Sequence, residues 1–194
     1  MKRAGSLIGI LVLALAGCGL VSSPPINNPF GLEGQQTSIN LGPSPAATGS
    51  LSVNTTFPDI TLSLPVTPTG FNYNLAISGV ALSGCPSTPP SSINVTMSLE
   101  LTVSDNPPTG PREAEAKAEN VQFTLTQSGS GYSVGNISNG SLSFSNLGTL
   151  LNILQSGGPN TATLSGTVNT TSNPDLAGCT MTITWGGGQG VLAF

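Results

Sequence analysis

Apolar and polar residues alternate along most of the chain after Ser50. The longest regular stretch places six apolar residues at every second position from Ile93 to Val103. A period of two is typical of a β-strand with one face on a core and the other toward water. At about 3.4 Å per residue, this strand is expected to be about 35 Å long. The other segments predicted to form strands are 51–57, 60–64, 71–82, 121–125, 132–134, 142–144, 162–168, 181–185 and 190–194.

Three features interrupt the alternation. The apolar phase slips at Gly79, which predicts a β-bulge there. Residues 113–119 alternate Ala with charged residues. We interpret them as a connection leading into the next strand, with a short helix as the alternative. Asn139-Gly140 is typical of a tight turn between paired strands, so it predicts a hairpin.

A helical period also occurs. The i, i+3, i+4, i+7 spacing of an amphipathic helix is found at Leu147, Leu150, Leu151 and Leu154. Ser145 or Asn146 can cap its start, and two glycines at 157–158 can end it. We therefore expect a short helix near residues 147–155 that covers one open end of the β structure. With about nine or ten short strands, the chain is predicted to be all-β and mainly antiparallel, either a sandwich or a barrel.

The first 20 residues follow another pattern. Two basic residues precede an apolar stretch at 7–16. This stretch is too short to span a bilayer, which needs about 20 residues, but it has the length of a signal-peptide core. It ends in Leu15-Ala16-Gly17-Cys18, which resembles the lipobox of bacterial lipoprotein precursors.

This resemblance implies that residues 1–17 are a signal peptide cut just before Cys18. In that family the Cys thiol is diacylated and the new amino group is usually acylated as well. Two or three acyl chains give stable anchoring, whereas one gives only marginal binding. Gly19 stands where the family often has the Asp that retains a lipoprotein at the inner membrane. The resemblance therefore implies an exported protein anchored to the bacterial cell membrane, with the outer membrane favoured if the source has two.

Residues 18–49 are rich in Pro, Gly, Ser and Asn and follow no apolar period. This composition buries too little surface to offset the entropy of ordering, so we expect lipidated Cys18 to be followed by a flexible tether. A random coil of about 30 residues has an end-to-end distance of roughly 30 Å. The apolar residues of the segment, Ile26 with Phe30 and Ile39 with Leu41, could instead dock onto the domain as an edge strand. A single β domain is expected at 50–194.

The composition excludes several kinds of function. The chain has 4 Lys and Arg, 8 Asp and Glu, and no His. His-dependent hydrolysis and His-ligated zinc chemistry are therefore excluded. Once the signal peptide is removed, Arg112 and Lys117 are the only basic residues. Two cations cannot neutralise a phosphate backbone or form a lipid-binding patch, so we expect no nucleic-acid partner and a membrane contact made by the lipid.

The chain contains 3 cysteines. If Cys18 carries the lipid, Cys85 and Cys179 remain. Because an exported domain meets oxidising conditions, we expect these two to form a disulfide. Two buried free thiols are the alternative.

The acidic residues do not form an evident catalytic pair. Asp59, Glu100 and Asp105 are the acids considered for glycoside hydrolysis, but no spacing singles out two of them. Lys117 lies among glutamates that would hold it charged, which argues against a serine–lysine dyad. We predict no catalytic residue, no metal ligand and no cofactor.

These patterns favour a lipid-anchored cell-envelope lipoprotein with a structural or binding role and no enzymatic activity. One alternative is a carrier or chaperone for an apolar ligand, held in a β cavity with the helix as its lid. Another is a glycan-binding or glycan-active surface protein. The expected partners are the membrane, through the lipid on Cys18, and an envelope protein, a glycan or an apolar ligand.

Overall fold

The computed structural model describes residues 22–43, 47–60 and 66–194. This part of the chain forms twelve strands and one helix, and the strand pairs are antiparallel. The prediction of an all-β fold is confirmed. The elements are β1 (Ile26–Asn27), β2 (Gln36–Asn40), β3 (Ala47–Phe57), β4 (Gly70–Asn74), β5 (Ile77–Ser83), β6 (Ser92–Asp105), β7 (Arg112–Ser128), β8 (Gly131–Val134), β9 (Ser141–Phe144), α1 (Leu147–Leu154), β10 (Asn160–Thr171), β11 (Thr180–Trp185) and β12 (Gln189–Ala193).

Four long strands form one sheet, in the order β3-β10-β6-β7. The alternation of apolar and polar residues explains why each strand has one buried face and one outer face. The alternate apolar residues of β6, from Ile93 to Val103, are each at most 3% exposed, whereas the polar residues between them lie on the outer face. Each of these strands therefore contributes one face to the core.

The other eight strands are the halves of four broken strands. β1 and β2, β4 and β5, β8 and β9, and β11 and β12 each follow one another with a short interruption. In one half β1 pairs with β12, β12 with β4, and β4 with β9. In the other half β2 pairs with β11, β11 with β5, and β5 with β8. Both halves have the same order, so the broken strands form a second sheet.

The eight strand paths follow the topology of a jelly roll. Counted along the chain, the sheets have the orders 1-8-3-6 and 2-7-4-5. The first path pairs with the last, the second with the seventh, the third with the sixth and the fourth with the fifth. A jelly roll is this eight-stranded double sheet. β7 also pairs with β8 and β9, which joins the two sheets along one edge.

The helix lies at one end of the sandwich. It connects β9 in one sheet to β10 in the other. The side-chain oxygen of Asn146 accepts a hydrogen bond from the backbone N–H of Thr149 at 3.1 Å and caps its start. Leu150, Ile153 and Leu154 are fully buried. The helix expected near 147–155 is confirmed.

We call this end of the sandwich the helix end. Strands β3, β6, β9 and β12 finish there, and β1, β4, β7 and β10 begin there. The opposite end, which we call the disulfide end, carries the connections β2–β3, β5–β6, β7–β8 and β10–β11. The two ends of the sandwich therefore hold separate sets of loops.

Aromatic rings fill the space between the sheets in the half that contains the helix end. Phe30 is fully buried. Its ring centroid lies 5.6 Å from Phe57, 6.0 Å from Phe71, 5.0 Å from Tyr73 and 5.6 Å from Phe144. Edge-on aromatic pairs stabilise a core beyond the area that they bury.

Residues 22–43 lie within the fold, although their composition indicates a flexible tether. β1 and β2 pair with β12 and β11, and Phe30, Leu32 and Ile39 are fully buried. This arrangement matches the alternative in which the apolar residues dock onto the domain. Composition misses it because Phe30 and Leu32 enter the core from a loop, where no apolar period applies. The β domain therefore begins before residue 50.

Residues 113–119 belong to strand β7 and form neither a connection nor a helix. Ala114, Ala116 and Ala118 are at most 6% exposed and face the core. Helix α1 packs against β7 and β6, and small side chains leave room for it. The charged residues between the alanines lie on the outer face.

The two remaining local predictions have opposite outcomes. Gly79 pairs with Thr184 and Ile77 with Trp185, which leaves Ser78 as the extra residue of a bulge. The bulge predicted at this position is confirmed. The predicted hairpin at Asn139-Gly140 is wrong, because β8 and β9 pair with β5, β4 and β7 and not with each other. The predicted strand at 60–64 falls almost entirely outside the described residues.

Candidate functional site

The chain enters the fold at the helix end. Ser22 bridges to Ala193. The Ser23 N–H donates to the Leu192 carbonyl at 2.9 Å, and the Leu192 N–H donates to Ser23 Oγ at 3.0 Å. These contacts hold the first described residues against β12. The predicted cleavage motif and lipidation site, Leu15, Ala16, Gly17 and Cys18, lie outside the described residues.

Asp59 and Asn160 meet at the start of β10. Because β10 lies between β3 and β6, its first residue is placed between the ends of those two strands. Asn160 is fully buried, and its Nδ2 donates to Asp59 Oδ1 at 3.0 Å. The Gly157 N–H donates to Asp59 Oδ2, and Ser156 Oγ donates to Asn160 Oδ1 at 3.0 Å. Both oxygens of Asp59 are therefore hydrogen-bonded.

Asp105 lies on the other side of this strand start and is paired with Arg112. Arg112 Nε donates to Asp105 Oδ1 at 3.0 Å, and Nη2 donates to Oδ2. The hydrogen bond from Arg112 holds the pKa of the Asp105 carboxyl below its usual value. Burial opposes this effect, and the charge of Arg112 adds to it. The carboxylate raises the pKa of Arg112 in turn. The pair therefore stays ionised at neutral pH.

We call Asp59, Asp105, Arg112, Ser156 and Asn160 the helix-end cluster. It links the segment after β3, the β6–β7 connection and the segment after α1. Two open grooves of about 450 and 410 Å³ lie beside it, and Gly158 and Pro159 line both. A general acid or base must exchange a proton with a substrate, but each carboxylate of this cluster already accepts bonds from protein donors. The arrangement fits a structural link between loops.

Sequence reasoning missed this cluster. In the sequence Asp59 and Asp105 are isolated acids, and no local motif joins them to residues 156–160. The information lies in the topology, which places the start of β10 between the ends of β3 and β6.

Glu100, the third acid considered, lies away from the cluster. It is five residues from Asp105 along β6, which corresponds to about 17 Å. Its carboxylate lies 3.3 Å from Lys117 Nζ, and both side chains are exposed. Exposed pairs of this kind contribute about 0–1 kcal/mol. The structure therefore does not bring Glu100 together with the acids at the helix end.

Cys85 and Cys179 form a disulfide at the opposite end of the sandwich. Their Cα atoms lie 4.2 Å apart, and 94 residues separate them in sequence. The bond joins the β5–β6 connection to the start of β11. The disulfide predicted from the sequence is present, and the alternative of two free thiols is wrong.

Apart from the charged residues of β6 and β7, the outer faces of both sheets carry neutral polar groups that bond to one another across strands. Examples are Thr180 Oγ1 to Asn40 Oδ1 at 3.0 Å, Thr163 Oγ1 to Asn54 Oδ1 at 2.6 Å, and Ser143 Oγ to Asn72 Oδ1 at 2.6 Å. All 9 aromatic residues of the chain lie in the described part; Phe194 is half-buried and the others are buried. These faces offer hydrogen bonds but no fully exposed ring on which a sugar could stack.

The polar atoms of the largest aromatic side chains are satisfied inside the protein. Trp185 Nε1 donates to Thr37 Oγ1 at 2.9 Å. The Tyr73 hydroxyl donates to the Gly187 carbonyl at 3.1 Å, and burial raises the pKa of Tyr73 well above its usual value. These polar groups form hydrogen bonds within the core, so they are not available to a ligand.

No protein-family model, curated protein or solved structure matches this chain. Conclusions about function therefore rest on its own residues. Within residues 22–43, 47–60 and 66–194, no helix has both the length and the apolar character needed to cross a membrane. In the same ranges, Cys, Asp and Glu side chains form no group of three that could hold a metal ion.

Proposed function

We propose that this chain is the precursor of an exported, lipid-anchored cell-envelope protein whose β domain has a structural or binding role. The observation that carries the proposal is the order of signals at the N-terminus. Two basic residues precede a short apolar stretch, and the stretch ends in Leu15-Ala16-Gly17-Cys18. Cleavage before Cys18 and diacylation of its thiol would attach the domain to a membrane.

The disulfide supports export. Disulfides persist in oxidising compartments and are rare in the cytosol. The bond between Cys85 and Cys179 also uses both other thiols of the chain. Cys18 is therefore the cysteine left for a lipid.

The state of the acidic residues supports a non-enzymatic role. Asp59 and Asp105 are held by donors of their own loops, and Glu100 is paired with Lys117 on the outer face of the sheet. A pair of carboxylates that acts on a glycosidic bond must face one cleft at a separation of about 5–10 Å. Glu100 does not meet this requirement with either aspartate.

The alternatives gain less support. A carrier for an apolar ligand needs an interior cavity of about 300 Å³ or more, whereas Phe30 and the four aromatic rings around it occupy the space between the sheets near the helix. A glycan-binding role would rely on the neutral polar groups of the outer faces alone.

Gly19 favours the outer membrane as the location of the lipid anchor if the source has two membranes.

Metabolic labelling with a radioactive fatty acid tests the anchor. We expect the wild-type protein to incorporate the label and to sediment with membranes. Cys18→Ala should lose both properties, because it removes the thiol that carries the lipid. Ser6→Ala changes the signal peptide outside the lipobox and should behave as wild type. Unchanged membrane association of Cys18→Ala would refute the proposed anchor.

A further inference from the structure

The helix end lies close to the residue that we propose carries the lipid. Ser22 is held against Ala193 in β12, and four residue steps separate it from Cys18. An extended chain advances at most about 3.6 Å per residue, so the Cα atom of Cys18 lies within about 14 Å of that of Ser22. A link this short restricts how far the helix end can move from the anchor.

The disulfide end lies far from this point. Strand β6 runs from the disulfide end to the helix end and has 14 residues. At about 3.4 Å per residue, a strand of this length measures about 45 Å. The loops joined by Cys85 and Cys179 therefore lie about three times farther from Ser22 than Cys18 can.

The surface beside Ser22 has apolar character. Among the described residues, Val66 is the only large apolar side chain that is exposed, at 50%. The Thr69 N–H donates to the Ala193 carbonyl at 2.7 Å, which holds the segment after Val66 against β12, the strand that Ser22 also bridges. Phe194 is half-buried at the same end. The nearby charges of Asp105 and Arg112 are paired with each other.

We infer that the helix end is a membrane-contact surface. Val66 lies at the boundary between the lipid headgroups and the acyl chains, and the disulfide end points away from the membrane. The inference depends on the proposed lipidation of Cys18. Its occupant is the bilayer that holds this lipid, because the short link keeps the helix end near the anchor, whereas the disulfide end lies far from it. The disulfide end is then the part displayed to other components of the envelope.

Tryptophan quenching by brominated lipids tests this orientation. The lipidated full-length mature protein is reconstituted into vesicles of phosphatidylethanolamine and phosphatidylglycerol with brominated acyl chains. Val66→Trp places an indole at the helix end, and Ser130→Trp places one in the exposed β7–β8 turn at the disulfide end. Buried Trp185 contributes the same background fluorescence in both variants. We expect loss of the added emission for Val66→Trp and none for Ser130→Trp.

Flotation with the vesicles separates failure of the orientation from failure of the anchor. A protein that neither floats nor carries lipid mass on Cys18 contradicts the proposed function. A protein that floats but shows no quenching of Val66→Trp, or equal quenching of both variants, overturns the orientation alone.

A longer link provides a second test. An insertion of about 20 Gly and Ser residues between Val21 and Ser22 lowers the effective concentration of the helix end at the bilayer. We expect flotation to be unchanged and the quenching of Val66→Trp to decrease. Undiminished quenching would overturn the claim that the short link holds this end at the membrane.

Discussion

The pairing of Asp105 with Arg112 is the most buried charged contact described in the domain. Asp105 is 7% exposed, and it accepts two hydrogen bonds from one guanidinium. Bidentate charged pairs fix geometry as well as adding energy. The contact closes the connection between the two longest strands, β6 and β7.

Asp105→Asn should lower the free energy of unfolding by about 2 kcal/mol at pH 7, because it leaves a partly buried guanidinium without its anionic partner. Glu119→Gln, an exposed change on the same strand as Arg112, should change the free energy by less than about 0.5 kcal/mol. Urea unfolding measures both. Equal stability of the two variants would contradict the assigned role of Asp105.

The same contact predicts a pH dependence. The carboxyl of Asp105 has a lower pKa in the folded chain than its usual unfolded value of about 3.9. Its contribution to stability is therefore complete above that value and is lost as the pH falls through the folded pKa. We expect the difference between wild type and Asp105→Asn, measured by urea unfolding, to shrink below about pH 4. A difference that grows on acidification would have the wrong sign for this account.

At the scale of elements, the segment around Phe30 determines where the domain begins. Phe30→Ala should cost about 3–5 kcal/mol, since it removes a fully buried ring from the aromatic cluster. Gln36→Ala, an exposed change in β2, is the control and should cost little. Thermal unfolding of both variants measures the effect. If Phe30→Ala proved as stable as the control, residues 22–43 would be a tether after all.

Two strand glycines give a paired test of sheet packing. A Cβ at Gly166 in β10 would lie 2.1 Å from the Ser98 carbonyl oxygen, whereas a Cβ at Gly79 in β5 meets nothing within 4 Å. Gly166→Ala should therefore destabilise the protein by about 1–3 kcal/mol or more, and Gly79→Ala should be nearly neutral. Denaturant unfolding compares them. A neutral Gly166→Ala would contradict the register of β10 between β3 and β6.

The elements that were predictable from sequence are those with a strict period. The alternation at 93–103 and the leucine spacing at 147–154 each follow from one buried face, so they indicated β6 and α1. The burial of Ala114 is not predictable from the sequence, because alanine carries little apolar signal. Phe30 was missed because a loop residue has no period. Asp59 and Asp105 come together only through the jelly-roll pairing, which no short segment encodes.

At the scale of the whole molecule, the disulfide closes a loop of 94 residues. In the chain-entropy model, a loop of about this length contributes on the order of 4–5 kcal/mol by restricting the unfolded chain. The double variant Cys85→Ala/Cys179→Ala should therefore have a markedly lower melting temperature. Calorimetry with and without reductant measures this effect. The melting temperature of the wild type in reductant should approach that of the double variant. A reductant-insensitive wild type with an unchanged melting temperature in the double variant would contradict the role of the bond.

The jelly roll and its link to Cys18 together describe a domain held at one end and displayed at the other. The intact mass of the protein extracted from membranes tests the anchor most directly. The account predicts the mass of a chain that starts at Cys18, has lost two hydrogens to one disulfide, and carries a diacylglyceryl group with or without an additional acyl chain. An unmodified chain, or one cleaved at another position, would contradict it.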